Sequence, residues 1–282
     1  MKRFLLIALI VPNVLIAQWH VNMFGGISNY SGDLQEKFFT TSQSFGAFGL
    51  GLQYDFTPNI SVLTGINYGQ VGASDKFNKP ILQARNLSFQ SQILEWNLMG
   101  EYNLLDLSRS KFTPYVFAGV AVYHFNPFAY DSLGNKVYLK PLSTEGEGLP
   151  QYPDRKPYSL IQMAIPFGGG IKLRVTDKVT IAYEIGFRKL FTDYLDDVSS
   201  SYVDKNILLS AKGPLAVAMA YRGGEVKNGN PVYPAVGTVR GNPKHKDWYY
   251  LTGIRISFAF DTYKSTGQKN RSGIIDCPKK VM

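Results

Sequence analysis

Eight ionisable side chains fall where strand alternation sets them opposite apolar rows: Asp55, Glu95, Glu101 and Glu184 against Lys172, Arg174, Arg188 and Arg255. Four acids facing four bases suit pairing better than turnover, because an unpaired ion in a low-dielectric interior costs several kcal/mol. The three histidines, His20, His124 and His245, show no metal-ligand spacing and read as interior-lining or surface polar residues. No Gly-x-Ser-x-Gly elbow supplies a nucleophile. Gly168-Gly169-Gly170 follows no nucleotide-binding pattern, so a kink or close packing against an aromatic ring accounts for it better. Asp193, Asp196, Asp197 and Asp204 invite a calcium site but lack the glycine and terminal glutamate of an EF-hand. Attraction to the segment Asp154-Arg155-Lys156 explains that cluster as well. These residues predict no enzyme, no cofactor and no bound metal.

The elements that carry them are strands. Apolar and polar residues alternate in Trp19–Met23, Ala47–Phe56, Ile60–Tyr68, Leu94–Leu104, Ile161–Arg174, Val179–Arg188 and Trp248–Phe260. An eighth segment, Thr113 to Asn126, is apolar on both sides, and its period cannot orient it. With 45% apolar, 14% aromatic and 18% charged residues the chain must fold. It has no mature apolar run long enough for a spanning helix. Aromatics tend to close the apolar rows while aliphatics fill their middles, which is the profile of a lipid-facing barrel wall with two aromatic girdles.

Connections give a second test. Long loops near 28–42, 73–87, 127–158 and 191–246 alternate with short turns at Thr57-Pro58, near 106–112 and at Thr176-Asp177. The fold class predicted is therefore all-β: one closed antiparallel transmembrane barrel of eight strands, with ten possible. Long loops would be external and short turns periplasmic, placing both termini in the periplasm. Pro214 to Arg222 reads as a short plug or cap helix, or else as part of an extra strand pair. An eight-stranded barrel is filled by its own side chains, so no solute pore is expected.

The ends divide the chain further. Lys2 and Arg3 before the apolar run Phe4 to Ala17 read as a signal peptide over 1–17, with an uncleaved anchor as the alternative. The barrel takes 18–260. A basic tail over 261–282 carries Lys264, Lys269, Arg271, Lys279 and Lys280; it is either solvated or a periplasmic hook for a partner. Cys277 is the sole cysteine, so the exported fold stands without an internal disulfide. The formal charge of +9, or +7 without Lys2 and Arg3, points to lipopolysaccharide, peptidoglycan-side partners or acidic proteins and not to nucleic acid, for which no motif is present.

Several segments go beyond composition. Phe112 to Ala121, Gly148-Leu149-Pro150, Tyr152 to Leu160, Ile165 to Gly170, Glu184 to Arg188, Phe191 to Ser199 and Cys277-Pro278-Lys279 resemble the PorG-type outer-membrane proteins of the type IX secretion system. That resemblance implies a non-enzymatic outer-membrane scaffold of the secretion and gliding machinery. Its partners would be a periplasmic PorK-like lipoprotein and PorN-like ring subunits, with outer-membrane lipid around it. The alternative is an adhesin or ligand receptor acting through loops 127–158 and 191–246. A third possibility, a lipid-modifying barrel enzyme, needs a nucleophile and base clustered near one rim.

Overall fold

The computed structural model describes residues 18–35 and 40–260. The 1–17 segment and the tail with Lys264, Lys269, Arg271, Lys279 and Lys280 lie outside the described residues. The strands are β1 (Gln18–Ser31), β2 (Phe45–Asp55), β3 (Ile60–Ser74), β4 (Ser88–Asn103), β5 (Phe112–His124), β6 (Phe128–Tyr130), β7 (Lys136–Tyr138), β8 (Ile161–Arg174), β9 (Val179–Leu190) and β10 (Trp248–Ala259). Three short helices follow the same order along the chain: α1 (Pro80–Gln83), α2 (Lys205–Lys212) and α3 (Pro214–Ala220).

Every pairing is antiparallel, and β1 joins β10 while β3 joins β4, so the wall closes. Among the described residues eight strands form it. The remaining two, β6 and β7, make a hairpin of two three-residue strands that joins the wall's ladder through the pair Gln90–Phe128. This settles the strand number at eight, and the helix expected from Pro214 forms as α3 in place of an extra strand pair.

Turn chemistry explains the short end. Thr57 Oγ1 accepts from the backbone N–H of Asn59 and Ile60, and Thr176 Oγ1 from those of Lys178 and Val179. Asp106 takes the same role toward Ser108. Each side chain satisfies amides that a tight reversal leaves unpaired. At the other end the connections are long, as the alternation predicts.

The wall inverts a soluble protein's polarity. Leu50 is 58% exposed, Trp96 50% and Ile171 57%. Glu95, Glu101, Lys172, Arg188 and Arg255 on the opposite rows are buried. Ile254 also faces outward, on the same row as Ile256. A closed ladder satisfies every backbone group internally, which is what hydrocarbon demands of a spanning structure. Aromatic rings cluster at both edges of this apolar skin. Trp19, Tyr54 and Phe56 pack at the short-turn edge, with centroids 4.9 and 4.8 Å apart. At the loop edge Phe48 meets Tyr68 at 5.3 Å, and Phe167 meets Phe187 at 5.8 Å and Trp248 at 6.0 Å. The molecule is a transmembrane barrel of the outer-membrane type.

Candidate functional site

The interior is built in layers from the short-turn end upward. At the mouth His20 Nε2 lies 2.9 Å from Asp55 Oδ2, and Gln53 Nε2 donates to Asp55 Oδ1 at 2.7 Å. Next, Glu101 accepts from both Lys172 Nζ and Arg255 Nη2. Arg255 Nε also sits 3.2 Å from Glu184 Oε2, off the line of a hydrogen bond, while Tyr115 donates squarely to that oxygen at 2.7 Å. Above this, Glu95 takes Arg188 Nε at 2.9 Å and Nη2 at 3.2 Å, Tyr249 Oη at 2.6 Å, Asn67 Nδ2 at 2.7 Å and Asn97 Nδ2 at 2.9 Å.

Seven of the eight residues picked out by alternation line this channel. Arg174 does not belong to it. It lies at the end of β8, where the wall opens to solvent, 3.9 Å from Asp177, and bonds the carbonyl of Ser108. Asp55 is partnered by His20, which the sequence reading left among interior-lining or surface polar residues. The signal was available: His20 pairs with Gln53 across β1 and β2, on the row that carries Asp55.

β5 supplies what its period hid. Register sets Phe117 beside Glu101 and Tyr123 beside Glu95, so Tyr115, Phe117, Tyr123 and Phe125 point inward. Gly168 and Gly186 make room for the Phe117 ring: a Cβ on either would fall 2.8 or 2.9 Å from Phe117 Cζ. That is the close aromatic packing expected of the glycine run. The free space among Asn22, Asn97, Glu184, Arg188 and Arg255 amounts to about 40 Å³, room for a few waters and no solute.

The loop end carries a cap that sequence reasoning placed only in part. Tyr158 stacks on Phe125 at 6.0 Å and on Tyr194 at 4.9 Å. Asp197 accepts from Thr144 Oγ1 at 2.6 Å and from Tyr158 Oη at 2.7 Å. Asp196 and Asp247 share the hydroxyl of Tyr30, at 2.6 and 3.0 Å. Glu145 accepts from the N–H groups of Ser199 and Ser200 and from Arg240 Nη1. Arg240, not Arg155, is thus the cation of the acidic loop; Arg155 instead bonds Glu145 O, Ser201 O and Ser201 Oγ. Asp204 stands apart as the N-cap of α2, bonding Asn206 N and Ile207 N.

Acid outnumbers base in this cap. Burial, reinforced by Asp197 and Glu145, pushes the Glu147 carboxyl up to about 8. Burial raises Asp193 to about 7 and, against the pull of Arg240, Asp197 to about 6. Asp196 and Asp247 rise well above the carboxylate range for the same reason and because each faces further acid. Among the described residues no group of three or more His, Cys, Asp or Glu is disposed to hold a metal ion. His124 points outward on β5, and His245 bonds Asn242 in the last loop.

A family model described as a domain of unknown function, DUF6089, matches residues 2–211. The chain belongs to the DUF6089 family. No functionally curated protein matches it. Among solved structures it is similar to Neisserial surface protein A, with 9% identity, 86% of this chain and 97% of that one covered, and a TM-score of 0.42. It is also similar to Ail of Yersinia pestis, solved with the heparin analogue sucrose octasulfate, at 7% identity, 87% and 100% coverage and 0.42. A major outer membrane protein of Thermus thermophilus gives 12%, 86% and 99%, and 0.43. Likenesses of this size carry no functional inference, and the DUF6089 assignment itself names no activity.

Proposed function

We propose that this DUF6089 barrel is a non-enzymatic scaffold of a type IX protein-secretion machine, tethering a periplasmic lipoprotein ring to the outer membrane. One observation carries the reading: ion pairs and aromatics fill the lumen while a folded cap closes the loop end, so only surfaces remain to act. The segments 152–160 and 191–199, distinctive in sequence, contribute Tyr158, Asp193, Asp196 and Asp197 to the buried cap. Their composition is accounted for by holding the barrel shut. In this reading the long loops face outward, and the periplasmic turns and the basic tail meet the PorK-like and PorN-like ring proteins.

The test is recovery of the protein from detergent-solubilised membranes with identification of what comes with it. Ring proteins in the eluate support the scaffold; their consistent absence, with the barrel intact, ends it. The receptor alternative draws on one feature, the apolar loop stretch with Val232, Val236 and Val239 at 67%, 58% and 74% exposure. It requires that binding of an external ligand map to that stretch and survive loss of the tail.

A further inference from the structure

The outward rows of β3 and β4 change character part-way along. Ile60, Val62, Ile66 and Tyr68 on β3, with Tyr102, Leu98, Trp96 and Leu94 on β4, lie in the apolar skin. Past the rung Tyr68–Leu94 the same rows become Gln70–Gln92, Gly72–Gln90 and Ser74–Ser88. The wall therefore continues beyond the lipid band, by about 13 Å from Gln70 to Ser74 along the strand, as a face of amides and hydroxyls.

A cleft of about 220 Å³ opens there, its lining including Phe45, Phe77 and Tyr130 together with Ser74, Ser88 and Gln90. Gln90 Oε1 accepts from Gln70 Nε2 at 3.1 Å, which fixes the amide and turns its own Nε2 free. Among the described residues, that Nε2 and the hydroxyls of Ser88 and Tyr130 have no protein partner. No Asp, Glu, Lys or Arg is among the described residues that line the cleft. Gly72 keeps it open, since a Cβ there would come within 3.2 Å of the Phe45 ring and 3.1 Å of Gln90 Cγ.

We propose that this cleft binds a neutral sugar of the outer-leaflet glycolipid core, one ring or a short unbranched stretch. Aromatic walls take the C–H face of a pyranose, and free amide and hydroxyl groups pair with its hydroxyls. A lining without charge among the described residues favours a neutral group over a phosphate or carboxylate. The volume falls below the roughly 300 Å³ at which drug-sized pockets begin. Its position fixes the source: it faces sideways, directly above the aromatic girdle, where the first sugars of a membrane glycolipid stand. This rests on the outward orientation of the long loops proposed above.

Calorimetric titration of the purified full chain in detergent micelles tests it. The probes are a hexose-bearing core oligosaccharide freed of lipid A, lipid A without core, and a soluble dextran oligomer. Core oligosaccharide should bind, with the other two weaker. Gln90→Glu, which keeps the acceptor for Gln70 and removes the donor, and Tyr130→Phe, which keeps the ring, should each weaken binding roughly threefold to tenfold. Heat-modifiable migration on gels verifies that both variants remain folded barrels. No binding by the wild type, equal binding by the variants, or dextran bound as well as core would overturn the assignment. Orientation is read separately: protease cleavage in intact cells at Lys205 or Lys212 supports external loops, while the micelle titration stands whatever that result.

Discussion

Glu95 is the place to strike the interior. Five donors converge on its two oxygens, two from Arg188 and one each from Tyr249, Asn67 and Asn97. Glu95→Gln keeps the shape but removes the charge, and Arg188, 3% exposed, is then a buried cation without its anion. Breaking one side of a buried pair typically costs about 3–5 kcal/mol. Arg188→Met should cost less, because Glu95 retains three neutral donors. The double variant should recover at least about 2 kcal/mol of the summed single costs, since no stranded ion remains. Reversible urea unfolding in micelles, followed by tryptophan emission, measures all three; Trp96 lies on the lipid face beside Glu95 in sequence. Costs that simply add, or a Glu95→Gln loss under about 1 kcal/mol, would show that the pair does not hold the layer together.

Three further outcomes follow from the same geometry. Carboxyls raised on folding favour the protonated form, so their ionisation works against the cap as pH climbs from the ordinary carboxylate range through about 8. Hydrogen exchange over 191–247, corrected for intrinsic rates, should be slowest near pH 5 and accelerate by pH 9; a flat profile would contradict the buried, proton-holding acids. Asp204→Ala should cost the α2 segment about 1 kcal/mol by stranding the N–H groups of Asn206 and Ile207, seen as faster exchange there with the barrel ladder unchanged. Deleting Lys264 to Met282 should lower recovery of ring proteins without altering heat-modifiable folding, and undiminished recovery would remove the tail from the tether.

Alternation made the wall legible because hydrocarbon outside and ion pairs inside impose period two on both faces. Gln53, Asp55, Glu95, Glu101 and Lys172 all fall on the rows it assigned. It failed where one face could not be told from the other. β5 sends Tyr115, Phe117 and Tyr123 inward, with Phe125 buried just past its end, and Val116, Val120 and Val122 outward, and both sets are apolar. Only pairing with β4, whose charged row is unambiguous, orients it. Arg174 was misplaced for a related reason: period says which side a residue faces, not how far along the barrel the interior lasts.

The cap was legible least, because its order depends on contacts between residues far apart in sequence. Tyr30 meets Asp196 and Asp247, and Glu145 meets Arg240, across separations no local pattern encodes. Yet its composition makes physical sense once the lumen below is seen. Aromatic rings bury the loop mouth, so the polar loop ends that close it must satisfy one another. Carboxylates do so by accepting from backbone N–H groups at Leu195, Val198, Ser199 and Ser200. Asp247 and Glu145 tie the 195–200 segment to other parts of the cap in this way, and Asp196 folds that segment on itself, without a strand or disulfide. The surplus acid is then the consequence of stapling long loops by their amides, and burial shifts those carboxyls toward the protonated form.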